Sequence, residues 1–479
     1  MLEVSDQRRL IRPLLEVPEV GFEPTRPEGH GILSAERLPF RHSGRRQRYP
    51  WSGPLTGTWK PVSGRGARRA LHSDNPPPVD SAGRMEVIRE LCSFEERGPG
   101  TDAERRAANM LAGRLRAMGR RAQVEPFFAH PQYAIVHLIH AALGIAGSIV
   151  STIEPAVGFG LVFLAAVSTY LDLNTRLYLA RSLLFRRISQ NVVSPGDRPE
   201  APARLILAAH YDAARTGFIF SKASARIRRL PERIRLGLGP FRLFFWIGLA
   251  PLLPILGARM AGVDATWLSA VQAAPTIVLI VAAFLLIDIA LSDIVPGAYD
   301  NASGVAAVFS AADDLRTTPP ANLDVWVVLT GSEESFCEGM RAFVRGHRAE
   351  LDRDTTYFVN VDSVSHGTVA YEVSEGAVIS IPHDPELIEL CEALAVAHTD
   401  GGPAPRPIRH PLLDDALPPR IRRYRAITVR TTDENGNLAP WYHTHEDVPK
   451  RIDPDALARA TEFVTSLARL LDRGAGRRV

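Results

Sequence analysis

Cysteine is scarce in this 479-residue sequence, and neither basic nor acidic residues are in excess. It has three cysteines, Cys92, Cys337 and Cys391, too few and too scattered for a disulfide framework or a cysteine zinc cluster. Its 56 Lys and Arg residues nearly balance 53 Asp and Glu residues, a formal net charge of +3, so no nucleic-acid partner is expected. No basic start followed by an apolar core marks a secretory signal. The cysteine usage is compatible with a reducing compartment.

Residues 1–84 lack a persistent apolar periodicity and are rich in Pro, Gly and Arg, so they predict a disordered or mis-annotated leader. The segments 21–27 (GFEPTRP) and 41–44 (RHSG) resemble the peptide obtained when a transfer-RNA gene is read as coding sequence. We therefore expect translation to begin at Met85, and a genuine disordered leader is the alternative. The intact mass of the native protein distinguishes the two, because a chain that starts at residue 1 contradicts the later start.

Four stretches lack Lys, Arg, Asp and Glu, and they occur in two pairs: Tyr133–Val150 with Ala156–Leu171, and Leu243–Ala258 with Ala265–Ile287. The last stretch has 23 residues, long enough to cross a hydrocarbon core of about 30 Å. The others are near the lower limit of length. We expect two transmembrane hairpins, at residues 133–172 and 241–291. Buried helices of a soluble domain are the alternative.

The link between the hairpins is rich in arginine, including Arg176, Arg181, Arg186 and Arg187, whereas the hairpin tips contain only Arg259. The positive-inside tendency then predicts tips that face outwards and a cytoplasmic remainder, in the plasma membrane of a bacterium. Within the link, residues 226–238 predict either a topology-setting basic flank or a helix in the lipid interface.

Outside the hairpins, strands and helices alternate, at residues 85–132, 173–240 and 292–479. This alternation predicts an α/β domain with a mixed, largely parallel sheet and helices on both faces. Three predicted strands end at chemically useful side chains: His210, the pair Glu333 and Glu334, and Asp362. In such folds, sites form where parallel strands end.

Histidine and carboxylates without cysteine are typical ligands of zinc or a similar divalent ion. Two close ions need a bridging carboxylate, and a further carboxylate beside them can act as a general base. The composition of these strand ends thus predicts a metal site.

The motifs in their order resemble the zinc aminopeptidases of metallopeptidase family 28. They are His210-Tyr211-Asp212, Asp300-Asn301-Ala302-Ser303-Gly304, Glu333-Glu334, Asn360-Val361-Asp362, and Tyr442-His443-Thr444 with Asp447. The resemblance covers roughly residues 85–479 without the hairpins. The family usually has an acidic residue where this chain has Tyr299, and the interval between the first two motifs is normally short.

The resemblance implies a role for each matching residue. His210, Asp300 and Asp362 would bind one zinc ion, and Asp300, Glu334 and His443 the other. Glu333 would be the general base, Asp212 would orient His210, and Asp447 would support the His443 loop. The implied enzyme is a membrane-bound aminopeptidase with two zinc ions, whose partners are peptide substrates and the lipid bilayer.

Three alternatives remain open: a non-catalytic membrane scaffold or receptor, a one-zinc acyltransferase or cyclase, and a soluble secreted aminopeptidase. Four other residues near the motifs or near prolines are not expected to bind metal or to act as nucleophiles. His383 and His410 are expected at the surface or at a substrate rim, His445 is rejected as a ligand in favour of His443, and Cys337 is expected to pack.

Overall fold

The structure is a computed structural model that describes residues 80–224, 239–398 and 402–476. Residues 1–79 of the predicted leader and the basic stretch 226–238 lie outside the described residues. Helix α1, Ser81–Cys92, is capped by Asp80, whose side chain accepts a hydrogen bond from the Gly83 N–H. This helix begins four residues before Met85.

One mixed sheet forms the centre of the described chain. Its strands are β1 (Gln123–Ala129), β2 (Arg187–Ser194), β3 (Ala203–His210), β4 (Leu323–Thr330), β5 (Thr356–Val361), β6 (Thr368–Glu375), β7 (Ile381–Pro382), β8 (Arg406–Arg409) and β9 (Arg425–Thr432). They lie in the order β1-β2-β4-β3-β5-β9-β6-β7, with β8 beside β6. Strands β4, β3, β5 and β9 pair in parallel at the centre, and β1, β2, β6 and β7 add antiparallel pairs toward both edges.

Helices cover both faces of this sheet. Besides α1, the helices are α2 (Asp102–Ala117), α3 (Tyr133–Val150), α4 (Pro155–Leu173), α5 (Pro240–Met260), α6 (Thr266–Leu291), α7 (Ser303–Thr317), α8 (Glu338–Gly346), α9 (Pro385–Val396), α10 (Leu417–Ile421) and α11 (Pro454–Ala475). Side chains alternate across a strand. Along β3, Leu205 and Leu207 join a core with α7 and α11, whereas Ile206 and Ala208 join a core with α8. The predicted α/β class is confirmed.

Helix α2 shows how local sequence sets an element's ends. The Thr101 hydroxyl accepts a hydrogen bond from the Glu104 N–H at 3.1 Å and caps the first turn. Asp102 in the first turn and Arg116 in the last one complement the helix dipole. Gly119 follows with φ +82°, a left-handed conformation that glycine adopts without steric cost.

The four uncharged stretches form helices α3, α4, α5 and α6, and each is long and apolar enough to cross a membrane. They form the two predicted hairpins. Helix α5 widens to a π-helix over Phe244–Leu249, and α6 runs through Pro275 without ending.

The two hairpins pack against each other with their tips at the same end. Near the tips, Gln272 Nε2 donates a hydrogen bond to Ser151 Oγ at 3.1 Å, and the hydroxyls of Ser148 and Thr276 lie 2.7 Å apart. Each hairpin therefore returns the chain to the end from which it left.

Arg181 is one of the arginines of the link on which the predicted orientation rests. Its side chain is fully buried, and its guanidinium donates to both oxygens of Asp172, at 2.9 and 2.7 Å. It also donates to Glu338 Oε1 at 2.8 Å and to the Ser335 carbonyl at 2.7 Å. Arg259 of the second tip is also buried and donates to Gln272. Both arginines thus belong to internal hydrogen-bond networks. The orientation prediction counts them as free positive charges.

Close helix packing in the first hairpin predicts opposite effects for two glycines of α4. A Cβ at Gly158 would lie 2.5 Å from the Gly147 carbonyl oxygen, whereas one at Gly160 would meet nothing within 4 Å. We expect Gly158→Ala to destabilise the purified protein by about 1–3 kcal/mol through overpacking. Thermal unfolding in detergent measures this. The matched Gly160→Ala variant should unfold at or above the wild-type temperature, and equal effects of both substitutions would contradict the packing.

Candidate metal centre

The parallel strand order brings the predicted site residues to one edge of the sheet. His210 ends β3, Glu333 and Glu334 follow β4, and Asp362 follows β5. The other two come from loops: Asp300 from the turn Ala298–Ala302 before α7, and His443 from the segment after β9. All six side chains are at least nine-tenths buried, with exposed fractions of 2–10 %.

Asp300 lies between the two histidines. His210 Nε2 is 3.1 Å from Asp300 Oδ1, and His443 Nε2 is 2.9 Å from Asp300 Oδ2. Each carboxylate oxygen therefore faces a different imidazole, which is the geometry required of a bridging group.

The other carboxylates separate into two sets around this bridge. On the His210 side, Asp362 Oδ2 lies 3.8 Å from His210 Nε2. On the His443 side, Glu334 Oε1 lies 3.6 Å from His443 Nε2. Glu333 Oε2 is 3.9 Å from His210 Nε2, so this carboxylate borders the first set.

The donor set suits one or more divalent cations. Ligand atoms of His210, Asp300 and Glu334 all lie within 4.8 Å of one another. Glu334 Oε1 is buried without a hydrogen-bond partner, and His443 Nε2 faces Asp300 at 2.9 Å without forming a hydrogen bond of normal geometry. Buried polar atoms are normally paired, so these atoms mark a place for a ligand that accepts nitrogen and oxygen donors.

Burial and the crowding of charges shift the pKa values at this centre in opposite directions. Burial raises the pKa of Glu333 and that of Glu334 well above the ordinary range, and neighbouring carboxylates add to both shifts. Burial also raises the pKa of Asp362 to about 6. For Asp300 burial acts in the same sense, but its contacts with His210 and His443 outweigh it and lower the pKa.

Asp212 holds the backbone of the glutamate pair. Its two oxygens accept hydrogen bonds from the N–H groups of Glu333, at 3.1 Å, and Glu334, at 3.0 Å. Its Oδ1 is 3.5 Å from His210 Nδ1, too far for a hydrogen bond, and this ring nitrogen is buried without a partner. Asp212 thus contacts both the first histidine and the loop that carries the glutamates.

Asp447 has a different partner from the His443 loop that was expected. Its carboxylate accepts hydrogen bonds from the backbone N–H groups of Tyr299, at 2.6 Å, and Asp300, at 3.1 Å. The aspartate therefore positions the residue at the centre of the site. Tyr299, where the family usually has an acidic residue, is buried and donates from its hydroxyl to the Thr431 carbonyl at 3.0 Å.

Asn301 has a positioning role that its place in the motif did not indicate. It precedes helix α7, which begins at Ser303. The Asn301 amide donates to the Val361 carbonyl at 2.9 Å and accepts from the Ser363 N–H at 3.0 Å. It therefore ties the Asp300 segment to the end of β5, beside Asp362. Asp415 was also missed: it is buried near Glu333, and no motif marks it.

Aromatic rings contact His443 from two segments. The Tyr442 ring stacks on the imidazole with centroids 3.9 Å apart, and Phe220, which precedes the second hairpin, lies 4.6 Å away. His445 is largely exposed and lies near Asp293 instead. Cys337 is buried and its thiol lies 3.4 Å from Glu333 Oε1.

His383 and His410 are not at the surface, so their predicted place is wrong. Both side chains are at least nine-tenths buried. Proline neighbours suggested exposed loops, but these loops fold over the antiparallel edge of the sheet.

Comparison with known proteins adds the following similarities. Residues 281–468 match the family described as peptidase family M28. That match includes four of the five motifs and does not reach His210. No curated protein matches the chain at a significant level. The chain thus resembles metallopeptidase family 28, the family that its motifs predicted.

Solved structures similar to this chain include enzymes of two kinds. A zinc aminopeptidase from Bacillus subtilis is 13 % identical, with 83 % of this chain and 96 % of that one covered and a TM-score of 0.48. A leucine aminopeptidase precursor from Bacteroides thetaiotaomicron is 15 % identical, with 83 % and 98 % covered and a TM-score of 0.46. A glutaminyl cyclase from the same organism is 16 % identical, with 82 % and 99 % covered and a TM-score of 0.47.

The position of Asp447 predicts a cost for its removal. Asp447→Ala leaves the buried N–H groups of Tyr299 and Asp300 without acceptors, at about 1–3 kcal/mol for each group. Chemical unfolding should show this loss of stability. Asp293→Ala, which truncates an aspartate whose side chain is 85 % exposed, should change stability by less than about 0.5 kcal/mol. A similar small change for Asp447→Ala would rule out its positioning role.

Proposed function

We propose that this chain is a membrane-bound metallopeptidase, an aminopeptidase that uses two zinc ions to hydrolyse N-terminal peptide bonds. The observation that carries the proposal is the position of Asp300, whose two oxygens face His210 and His443 separately. One carboxylate between two imidazoles is suited to bridge two ions. The match to peptidase family M28 supports the same class of reaction.

Two ligand sets share the bridge. His210, Asp300 and Asp362 would hold one ion, and Asp300, Glu334 and His443 the other. When bound, divalent ions at this centre supply Lewis acidity, which makes water more acidic and stabilises negative charge on the carbonyl oxygen. Asp212 and Asp447 keep the ligands in place through backbone hydrogen bonds, so ordering costs little when ions bind.

Glu333 is the general base of the proposed reaction. Its carboxylate takes a proton from the attacking water as the new carbon–oxygen bond forms. The same carboxyl group then donates that proton to the leaving amine as the carbon–nitrogen bond breaks. Glu333 is suited to this exchange because its carboxylate borders the His210 ligand set, with Oε2 3.9 Å from His210 Nε2.

The general-base assignment predicts separate effects on turnover and on metal content. Glu333→Gln should lower hydrolysis of an aminoacyl anilide panel by about 100- to 10,000-fold, since the amide cannot accept the proton. Zinc content by mass spectrometry should remain at the wild-type value. Asp300→Ala, in contrast, should lose two zinc ions per chain together with activity.

Any different outcome of these two measurements excludes part of the proposal. Loss of zinc in Glu333→Gln would make Glu333 a ligand instead of the base. Loss of one ion in Asp300→Ala would favour the one-zinc acyltransferase or cyclase, and no loss would favour the scaffold. Glu350→Gln, which changes a glutamate that is 57 % exposed, should leave both readouts unchanged.

The membrane setting is also proposed here, with the catalytic domain in the cytoplasm of a bacterium and both hairpin tips outside. Its support is the four apolar helices, whose tips lie at the same end. The protein should remain in membranes after alkaline carbonate extraction. An Asp264→Cys variant, changed at a side chain that is fully exposed in the second tip, should react with an impermeant thiol reagent on intact cells. Extraction into the soluble fraction would overturn the membrane assignment, and labelling only after lysis would overturn the orientation.

A further inference from the structure

A second group of buried polar side chains lies at the antiparallel edge of the sheet, and the proposed reaction does not use it. Its members come from β6, β9 and the loops after β7 and β8: Glu372, Glu375, His383, His410, Asp414 and Arg430. We refer to these six residues as the second cluster. All six are at least nine-tenths buried.

Three of its atoms converge on one point and lack hydrogen bonds. His383 Nε2 is 3.6 Å from Glu372 Oε2 and 3.6 Å from Glu375 Oε1. The three atoms lie within 4.8 Å of one another, and none of them has a hydrogen-bond partner. A separation of 3.6 Å is too long for a hydrogen bond. The three side-chain atoms thus face each other without forming hydrogen bonds.

The opposite polar atom of each of these three residues is fixed. His383 Nδ1 lies 3.1 Å from the Ala426 carbonyl oxygen, which can only accept, so Nδ1 carries the hydrogen. Glu372 Oε1 accepts from Arg430 Nε at 2.6 Å, and Glu375 Oε2 accepts from the Asp414 N–H at 2.8 Å. This is how proteins orient metal ligands: one atom is held and the other is presented.

The spacing also agrees with a shared metal ion. Nitrogen and oxygen ligands about 2.0–2.2 Å from one tetrahedral zinc ion stand about 3.4 Å apart, close to the 3.6 Å observed here. The second cluster contains three carboxylates, those of Glu372, Glu375 and Asp414, against the single guanidinium of Arg430. A divalent cation balances the remaining negative charge.

We propose that Glu372, Glu375 and His383 bind a divalent metal ion of the zinc class, at a structural site separate from the centre around Asp300. The site would join β6 to the loop after β7, and it would stabilise residues 376–378, which contact the second hairpin. Two side chains of that hairpin donate hydrogen bonds to this segment: Arg242 to the Gly376 carbonyl at 2.8 Å, and Trp246 Nε1 to the Val378 carbonyl at 2.8 Å.

Zinc content of the full-length protein, purified in detergent with added zinc and then dialysed, tests this site. Four proteins are compared: wild type, Asp300→Asn, His383→Gln and the double variant. We expect His383→Gln to lower the zinc content by one ion per chain in both backgrounds, so that Asp300→Asn retains one ion and the double variant none. Equal content with and without His383→Gln would overturn the proposal, and the second cluster would then be held together by protonated carboxyl groups.

The same data separate this proposal from the catalytic one. The Asp300→Asn substitution reports on the catalytic centre, and His383→Gln reports on the second cluster. His347→Gln is the matched control, because His347 is a partly buried histidine that contacts Glu125 and lies outside both sites. Its zinc content should equal that of wild type, and a loss of one ion would show that any histidine substitution has this effect and would overturn the proposal.

A further measurement does not depend on the folding of the His383 variant. If Asp300→Asn retains one structural ion, a chelator should lower its thermal unfolding temperature, and zinc should restore it. X-ray absorption at the zinc edge should then show nitrogen and oxygen neighbours only. An unfolding temperature that does not respond to the chelator, in a protein without zinc, would overturn the site.

Discussion

The candidate centre depends on a single carboxylate that faces two imidazoles. Asp300 keeps this position because other segments of the chain hold its backbone. Asp447 accepts the Asp300 N–H, and Asn301 ties the adjoining residue to the end of β5. The histidines and glutamates then arrive from the ends of β3 and β4 and from the loop after β9. Five segments distant in sequence thus depend on one backbone position.

The two hairpins interrupt this domain without breaking its sheet, because each returns the chain to the end at which it left. They are also attached to the site. Arg181 joins Asp172, at the end of the first hairpin, to Ser335 and Glu338, just after the glutamate pair. Removing one partner from such a buried network leaves an uncompensated charge. The first hairpin and the segment after the glutamate pair are therefore joined by one buried network.

The second cluster and the candidate centre have one physical feature in common: nitrogen and oxygen atoms that are buried, close together and unpaired. Their positions differ. The centre around Asp300 lies where parallel strands end, the usual place for a catalytic site in an α/β domain. The second cluster lies at the antiparallel edge, enclosed by loops, a place suited to stabilising the fold. The two sites thus have similar ligand atoms, but only the position of the centre around Asp300 is suited to substrate binding.

The sequence by itself determined the elements and the order of the motifs. It predicted the strands that end near His210, Glu333 and Asp362 and the four apolar helices, because strand and helix periodicity depend on neighbouring residues. Tertiary structure alone decided the partner of Asp447, the burial of Arg181 and the enclosure of His383. Each of these depends on residues more than 40 positions away or in another element, and no local pattern records which distant groups meet. Burial, and with it the chemistry of a charged group, is a property of the packed chain.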